Sequence, residues 1–242
     1  MGTTDTPPTG DGNSDVFTRP VPEYIHWLAG VIIALGGMAL TVGGTALTFV
    51  VDRGLLQEGI ESGEITVIVL ERDLTEAQML DLSLEIVNWT GIGLLVTGIG
   101  LVLFAIGYVA VRHRARREVS DDEHVDSYRA SAVLGAVATA VLSFVPFSPV
   151  LGGGLAGYLE QTESGRSISV GGVAGFLSMV PALVILAFVS AGLYNGFATI
   201  GESGLGIVVG TVMVLTVLFV AAYGAGLGAL GGFAGGRLAE TE

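Results

Sequence analysis

Polar and apolar residues do not alternate along this chain; they are segregated into long blocks. From Tyr24 through Val51 there is no Asp, Glu, Lys or Arg, and further uncharged blocks run from Asn88 to Val111, Ala130 to Leu159, Ser167 to Ile200 and Ser203 to Gly236. About 20 consecutive apolar residues suffice to carry a helix across a bilayer, and every one of these blocks is longer. The pattern predicts an all-α, multi-pass transmembrane helical bundle. It has four full spans plus a Pro-broken segment, or five spans, and a small extracytoplasmic cap between the first two.

The polar stretches divide the chain. Residues 1–22 are rich in Pro, Gly, Thr and Asp and nearly free of aliphatics, the composition of a disordered tail. Residues 23–118 form a two-span module with an external loop at 52–88, residues 119–130 a linker, and residues 131–238 a glycine-rich helical membrane module. No basic region precedes the first apolar block, and no small-residue cleavage site ends it, so the first span is expected to stay as an anchor. Within the loop, Ile65 to Leu70 is β-branched and reads as a strand. Thr75 and Gln78 then have the spacing of a capping box. Met79, Leu82, Ile86 and Trp89 follow at helical spacing, which predicts a helix running straight into the second span.

The block from Ala130 to Leu159 is broken by Val145-Pro146-Phe147-Ser148-Pro149. Two prolines three apart remove two backbone donors and disfavour helix before them. The segment is therefore either one kinked span or a hairpin turning at Pro146 and Pro149. Arginine placement favours the hairpin, which brings Arg166 and Arg237 to the same side as the cluster Arg112, Arg114, Arg116 and Arg117. By the positive-inside tendency that side is cytoplasmic, together with the amino terminus, and the loop 52–88 is outside.

Glycine spacing carries the packing signal. Gly224, Gly228, Gly232 and Gly236 recur every fourth residue, and Gly153 with Gly157 and Gly171 with Gly175 repeat the same spacing. Such rows let helix backbones approach closely where lipid offers no hydrophobic incentive to associate. Gly93, Gly100 and Gly107 are seven apart, as are Gly91, Gly98 and Ala105, a period that favours a left-handed crossing. These rows pack within the chain or between two copies in a homo-oligomer. Leu151 to Glu163 also matches Leu230 to Glu242 at seven of thirteen positions, which suggests a duplication.

Composition adds habitat. The chain has 23 acidic and 10 basic residues, all ten basic residues are Arg, and there is no Lys or Cys. Carboxylates hold water and cations, as an acidic proteome in high salt requires, and so acidic a chain has no electrostatic footprint for nucleic acid. Without Cys, disulfides and thiolate chemistry are excluded.

Candidate chemistry is sparse. No charged residue lies well inside a span, which counts against proton relays and coupled transport. Gly201-Glu202-Ser203-Gly204 has the letters of an intramembrane serine protease, but none of His26, His113 and His124 is placed to serve as its base. Gly226-x-Gly228-x-x-Gly231 lies inside an apolar helix, away from any strand-to-helix turn. Asn88-Trp89-Thr90 is a sequon abutting the bilayer, Asn195 reads as a helix-ending residue, and the scattered His residues give no metal-ligand spacing. No cofactor and no metal are expected.

Residues 129–159, above all Pro146-Phe147-Ser148-Pro149 followed by Ala156-Gly157-Tyr158-Leu159, resemble an uncharacterised multi-pass membrane protein family of halophilic archaea, a domain of unknown function (family 5518 type). The likeness runs to about Gly236. It implies habitat and topology and supplies no activity. The leading expectation is a non-catalytic membrane protein with a structural or interaction role, its partners the lipid bilayer and a second copy of itself. A channel or facilitator for a small neutral solute, using 145–154, is the alternative. An intramembrane protease-like enzyme stands third.

Overall fold

The structure, a computed structural model, describes residues 23–64, 74–115, 123–141, 147–160 and 164–240. The tail 1–22, the strand expected at 65–70 and Pro146 lie outside the described residues. Within them are seven helices: α1 (Glu23–Phe49), α2 (Arg53–Glu61), α3 (Glu76–Ala115), α4 (Glu123–Val141), α5 (Ser148–Glu160), α6 (Ser164–Thr199) and α7 (Ser203–Glu240). Four of these, α1, α3, α6 and α7, are long and apolar enough to cross a membrane. The chain is a multi-pass helical bundle.

Local sequence sets the helix ends. The capping box before α3 is made as its spacing predicts: Gln78 N–H donates to Thr75 Oγ1 (3.3 Å), and Thr75 N–H donates to Gln78 Oε1 (3.1 Å). From there α3 continues unbroken for 40 residues, roughly 60 Å at about 1.5 Å per residue. The short α2 starts on Asp52, whose carboxylate accepts from Leu55 N–H at 2.9 Å. At the other end of the chain, α6 runs through Asn195, whose side-chain amide donates back to Ala191 C=O (2.9 Å), and stops only at Thr199. Asn195 is thus interior to the helix. The terminating residue is Gly201 at φ +82°, where Glu202 N–H reaches Phe197 C=O (2.8 Å) and Gly201 N–H reaches Ala198 C=O (3.1 Å). That is the paired closure of a Schellman turn, and only glycine takes its φ without cost.

Polar side chains inside the apolar helices satisfy themselves locally. The hydroxyls of Thr41, Thr97, Thr139, Ser190 and Thr216 each donate to the carbonyl four residues back. Hydrocarbon offers them no water, so the backbone is the available acceptor.

The Pro-broken block is two helices folded back on each other. A Cβ placed on Gly135 of α4 would lie 2.7 Å from Ala156 Cβ of α5, and Gly152 of α5 sits against Thr139 of α4. The pairings 135 with 156 and 139 with 152 run in opposite directions, so α4 and α5 are antiparallel. Phe147 takes φ +65° at the entry to α5, an uncommon state for a bulky residue. On α6, Tyr128 of α4 meets Ser169 and Gly135 meets Ala174, so α4 and α6 run parallel. That register brings the end of α4 about level with Pro181, roughly half way along α6. The hairpin is therefore only half as deep as the helix it lies on.

Above the hairpin, the remaining half of α6 is covered by α3. Phe188 packs over Gly93, Gly192 sits under Trp89, and Gly196 under Leu82. Leu82 and Phe197 are buried there among Leu74, Ile86, Leu193 and Leu205. The helix α4 is the most enclosed, with six consecutive buried residues, 131–136.

Candidate functional site at the glycine seams

Two glycine seams run through the bundle, and along most of each the backbones meet directly. The first joins α1 to α3. Gly30, Gly37 and Gly44 of α1 are seven apart, and they face Val109, Gly98 and Gly91 of α3 in antiparallel order. A Cβ on Gly37 would lie 2.7 Å from Gly98 C=O, one on Gly44 2.6 Å from Leu95 N, and one on Gly98 2.6 Å from Thr41 N. Ala105, on the same row as Gly91 and Gly98, is 3% exposed. A seven-residue period on both helices keeps one face in register along a left-handed crossing.

The structure separates the two seven-spaced rows of α3. Gly93 packs on Phe188 of α6, but a Cβ on Gly100 or Gly107 would meet nothing within 4 Å. Those two face open space, and the seam uses the neighbouring row. The matching row on α1 is three glycines at the same seven-residue spacing, and it is not among the rows picked out from the sequence.

The second seam seats α7 in the groove between α5 and α6. Gly153 and Gly157 of α5 lie against Gly228 and Gly232, with a Cβ on either falling 2.7 Å from the opposing Cα. From α6, Gly171 lies against Gly228 and Gly232, and Gly175 against Gly224 and Gly228. Gly228 is touched from both sides at once, and Gly232 likewise. Gly236 ends the row on Ser167, whose Cβ would be 2.6 Å from an added Cβ. The pairing of 153 with 228 and 157 with 232 makes α5 parallel to α7, so the described parts of the two resembling segments, 151–160 and 230–240, run in the same sense. Two further glycines outside the sequence-derived set, Gly231 and Gly235, close on Val150 and Gly154. Close approach of this kind is stabilised by dispersion and by Cα–H···O contacts, each worth about 0.5–1 kcal/mol.

Of the broken-segment residues, Pro149 is buried together with Ser148, Gly152 and Gly153. At the far end of α5, on the side of the bundle that carries Arg129 and Arg237, lies the one buried acidic side chain among the described residues. Glu160, with a side chain 1% exposed, pairs with Arg166 at 3.1 Å. The Arg166 guanidinium sits over the Tyr128 ring at 5.8 Å, and Tyr128 OH and Ser169 Oγ are hydrogen-bonded at 2.7 Å. This cluster ties the base of the hairpin to the first turns of α6. Its signal in the sequence was only the acidic-to-basic spacing across 160–166. At the opposite end Arg53 pairs with Asp81 (3.0 Å) and Trp89 Nε1–H donates to Glu85 (3.1 Å).

Glu202 lies between α6 and α7 and Ser203 opens α7, while His26, His113 and His124 fall among residues whose side chains are not described. Among the described residues no group of three or more His, Asp or Glu is assembled for a metal.

Residues 129–238 match a family of unknown function, DUF5518. The match begins within α4 and ends in the last turns of α7, so it contains the α5–α6–α7 seam and leaves α1–α3 outside it. No curated protein matches the chain, and no solved structure does.

Proposed function

We propose, for a chain whose residues 129–238 carry that family match, a non-catalytic role as a structural or interaction component of the membrane. One observation carries the reading: Gly228 is in backbone contact with α5 and α6 at the same time, so the centre of the family-matched module is closed by packing. The amino terminus and residues 112–129 face the cytoplasm, the cap around α2 faces outward, and the hairpin returns the chain to the cytoplasmic side. The 23 acidic residues, with Arg as the sole cation, suit surfaces bathed in the high salt of a halophile. The partner is the bilayer, and a second copy of the chain is the candidate for the open face that holds Gly100 and Gly107.

A second reading, facilitated passage of a small neutral solute, draws on the half-depth hairpin, because broken helices at membrane depth often line permeation paths. Burial of Ser148, Gly152 and Gly153 against α4 and α7 weighs against it. The test is stopped-flow light scattering on proteoliposomes challenged with glycerol or urea. Permeability equal to that of protein-free vesicles is expected. Flux that rises with protein content and disappears in Gly153→Leu would replace the structural reading with the facilitator.

A further inference from the structure

Besides α7, which lies along both, the two halves of the helix α6 have different neighbours. Its first half carries the hairpin and the seam with α7. Its second half carries only α3 and the start of α7, through a line of interlocking positions. Trp89 of α3 sits over Gly192, with a Cβ on Gly192 falling 2.8 Å from Trp89 Cβ, 3.2 Å from Glu85 C=O and 3.2 Å from Ile86 Cα. Leu82 sits over Gly196, and in the reverse sense Phe188 of α6 fills the place above Gly93. Trp89 and Phe188 themselves lie with ring centroids 6.2 Å apart. Two hollows on α6 thus receive two large side chains of α3, and one hollow on α3 receives a ring of α6.

The unit that docks there has a seam of its own, besides the place where α1 touches α4. The α1–α3 seam is made of Gly30, Gly37 and Gly44 against Gly91, Gly98 and Val109, and it uses no residue of α4–α7. It lies wholly before residue 129, where the family match begins.

We infer that the outer half of α6, at Phe188, Gly192 and Gly196, is a receptor surface for an antiparallel transmembrane helix bearing large side chains at helical spacing, and that α1–α3 is a docked two-helix unit fused to the family module. The assembly is a two-component complex in one chain. The inference deepens the interaction role proposed above by naming the partner class and the face that receives it. Its failure is distinguishable from a failure of that role, since the experiment reads docking and not solute flux.

The absence of native cysteine makes the test direct in the full chain. A thiol pair at Glu85→Cys and Gly196→Cys, where an added Cβ would be 3.4 Å from Glu85 Cβ and 2.6 Å from the flexible tip of Leu82, which has to turn aside, reports docking of α3 on α6. A second pair, Gly172→Cys and Ala229→Cys, with Cβ atoms 3.6 Å apart, reports the α6–α7 seam. Both separations are close to the roughly 3.5–4.5 Å of a disulfide. Introducing Gly192→Leu is expected to cut oxidative cross-linking of the first pair by roughly tenfold or more, the scale of overpacking a close contact. The second pair should cross-link as before, and far-UV circular dichroism should show unchanged helix content. Loss of both cross-links, or a fall in helicity, would make the chain one cooperative body and overturn the inference. Full retention of the first cross-link would also overturn it, by showing that the Gly192 hollow does not hold α3.

Discussion

Gly228→Leu is expected to dismantle the seating of α7 on α5 and α6, while the same change at Gly226, two residues earlier on the same helix, leaves the protein folded. A Cβ on Gly228 would fall on Gly171 C=O and lie 2.8 Å from Gly175 Cα. These are backbone atoms of a helix pinned on its other faces by α4 and α5, so neither side can move aside as a flexible side chain would. Inserting methylenes into a well-packed core costs about 1–3 kcal/mol, occasionally more. With α5 pressing on Gly228 from the opposite side, the change should lie at the upper end, about 3 kcal/mol or more. A Cβ on Gly226 meets nothing within 4 Å, and leucine there faces lipid and gains roughly 1 kcal/mol of helix propensity over glycine. Thermal unfolding in detergent checks the pair: the midpoint should fall steeply for Gly228→Leu and hold or rise for Gly226→Leu.

The second large effect separates the two glycine rows of α3. Gly98→Leu should part α1 from α3, because an added Cβ would be 2.6 Å from both Gly37 C=O and Thr41 N and would also strike Thr41 Oγ1. Gly100→Leu should be tolerated, since the space beside Gly100 is open. The cost at Gly98 is again about 1–3 kcal/mol from overpacking. The chain has two tryptophans, Trp27 on α1 and Trp89 on α3, so their fluorescence follows this unit directly. An emission shift and earlier unfolding are expected for Gly98→Leu, with Gly100→Leu matching the parent. Equal damage from both would mean that the Gly93, Gly100 and Gly107 row is in use, between copies of the chain, and would make a homo-oligomer the next thing to measure.

These contrasts show what periodicity conveys. The uncharged blocks marked the places of the four long helices α1, α3, α6 and α7, because every backbone amide in hydrocarbon must be satisfied within its own helix. The capping box at Thr75 and Gln78 was legible for a local reason: both partners sit within one turn. Glycine spacing also pointed to Gly153, Gly157, Gly171, Gly175, Gly224, Gly228, Gly232 and Gly236, and these are the positions where α5, α6 and α7 meet.

What stayed hidden depends on which face a neighbour occupies. Gly98 and Gly100 differ by two residues, about 200° around a helix, and nothing in α3 itself says which direction holds α1. The polar stretch after Asp52 concealed α2, because nine residues with few apolar positions give little periodic signal. Asn195 beside Gly196 looked like a helix end, yet its amide bonds within the helix and Gly196 serves instead as the hollow for Leu82. Glu160 carried no signal of its own in the sequence. Its burial goes with Arg166 on α6, a pairing between two helices that no spacing rule encodes.

The central claim is that the Pro-broken block turns back and delivers the chain to the side from which it entered, so that α6 starts beside Arg129 and Arg237. With no native cysteine, the measurement is a single Ser164→Cys substitution labelled on whole cells with a membrane-impermeant thiol reagent. Arg114→Cys and Glu61→Cys serve as the inside and outside references. Ser164→Cys is expected to stay protected in intact cells and to label only after lysis, as Arg114→Cys does. Labelling of intact cells to the level of Glu61→Cys would contradict it, placing the start of α6 outside and requiring the block 130–159 to cross the membrane as a kinked span.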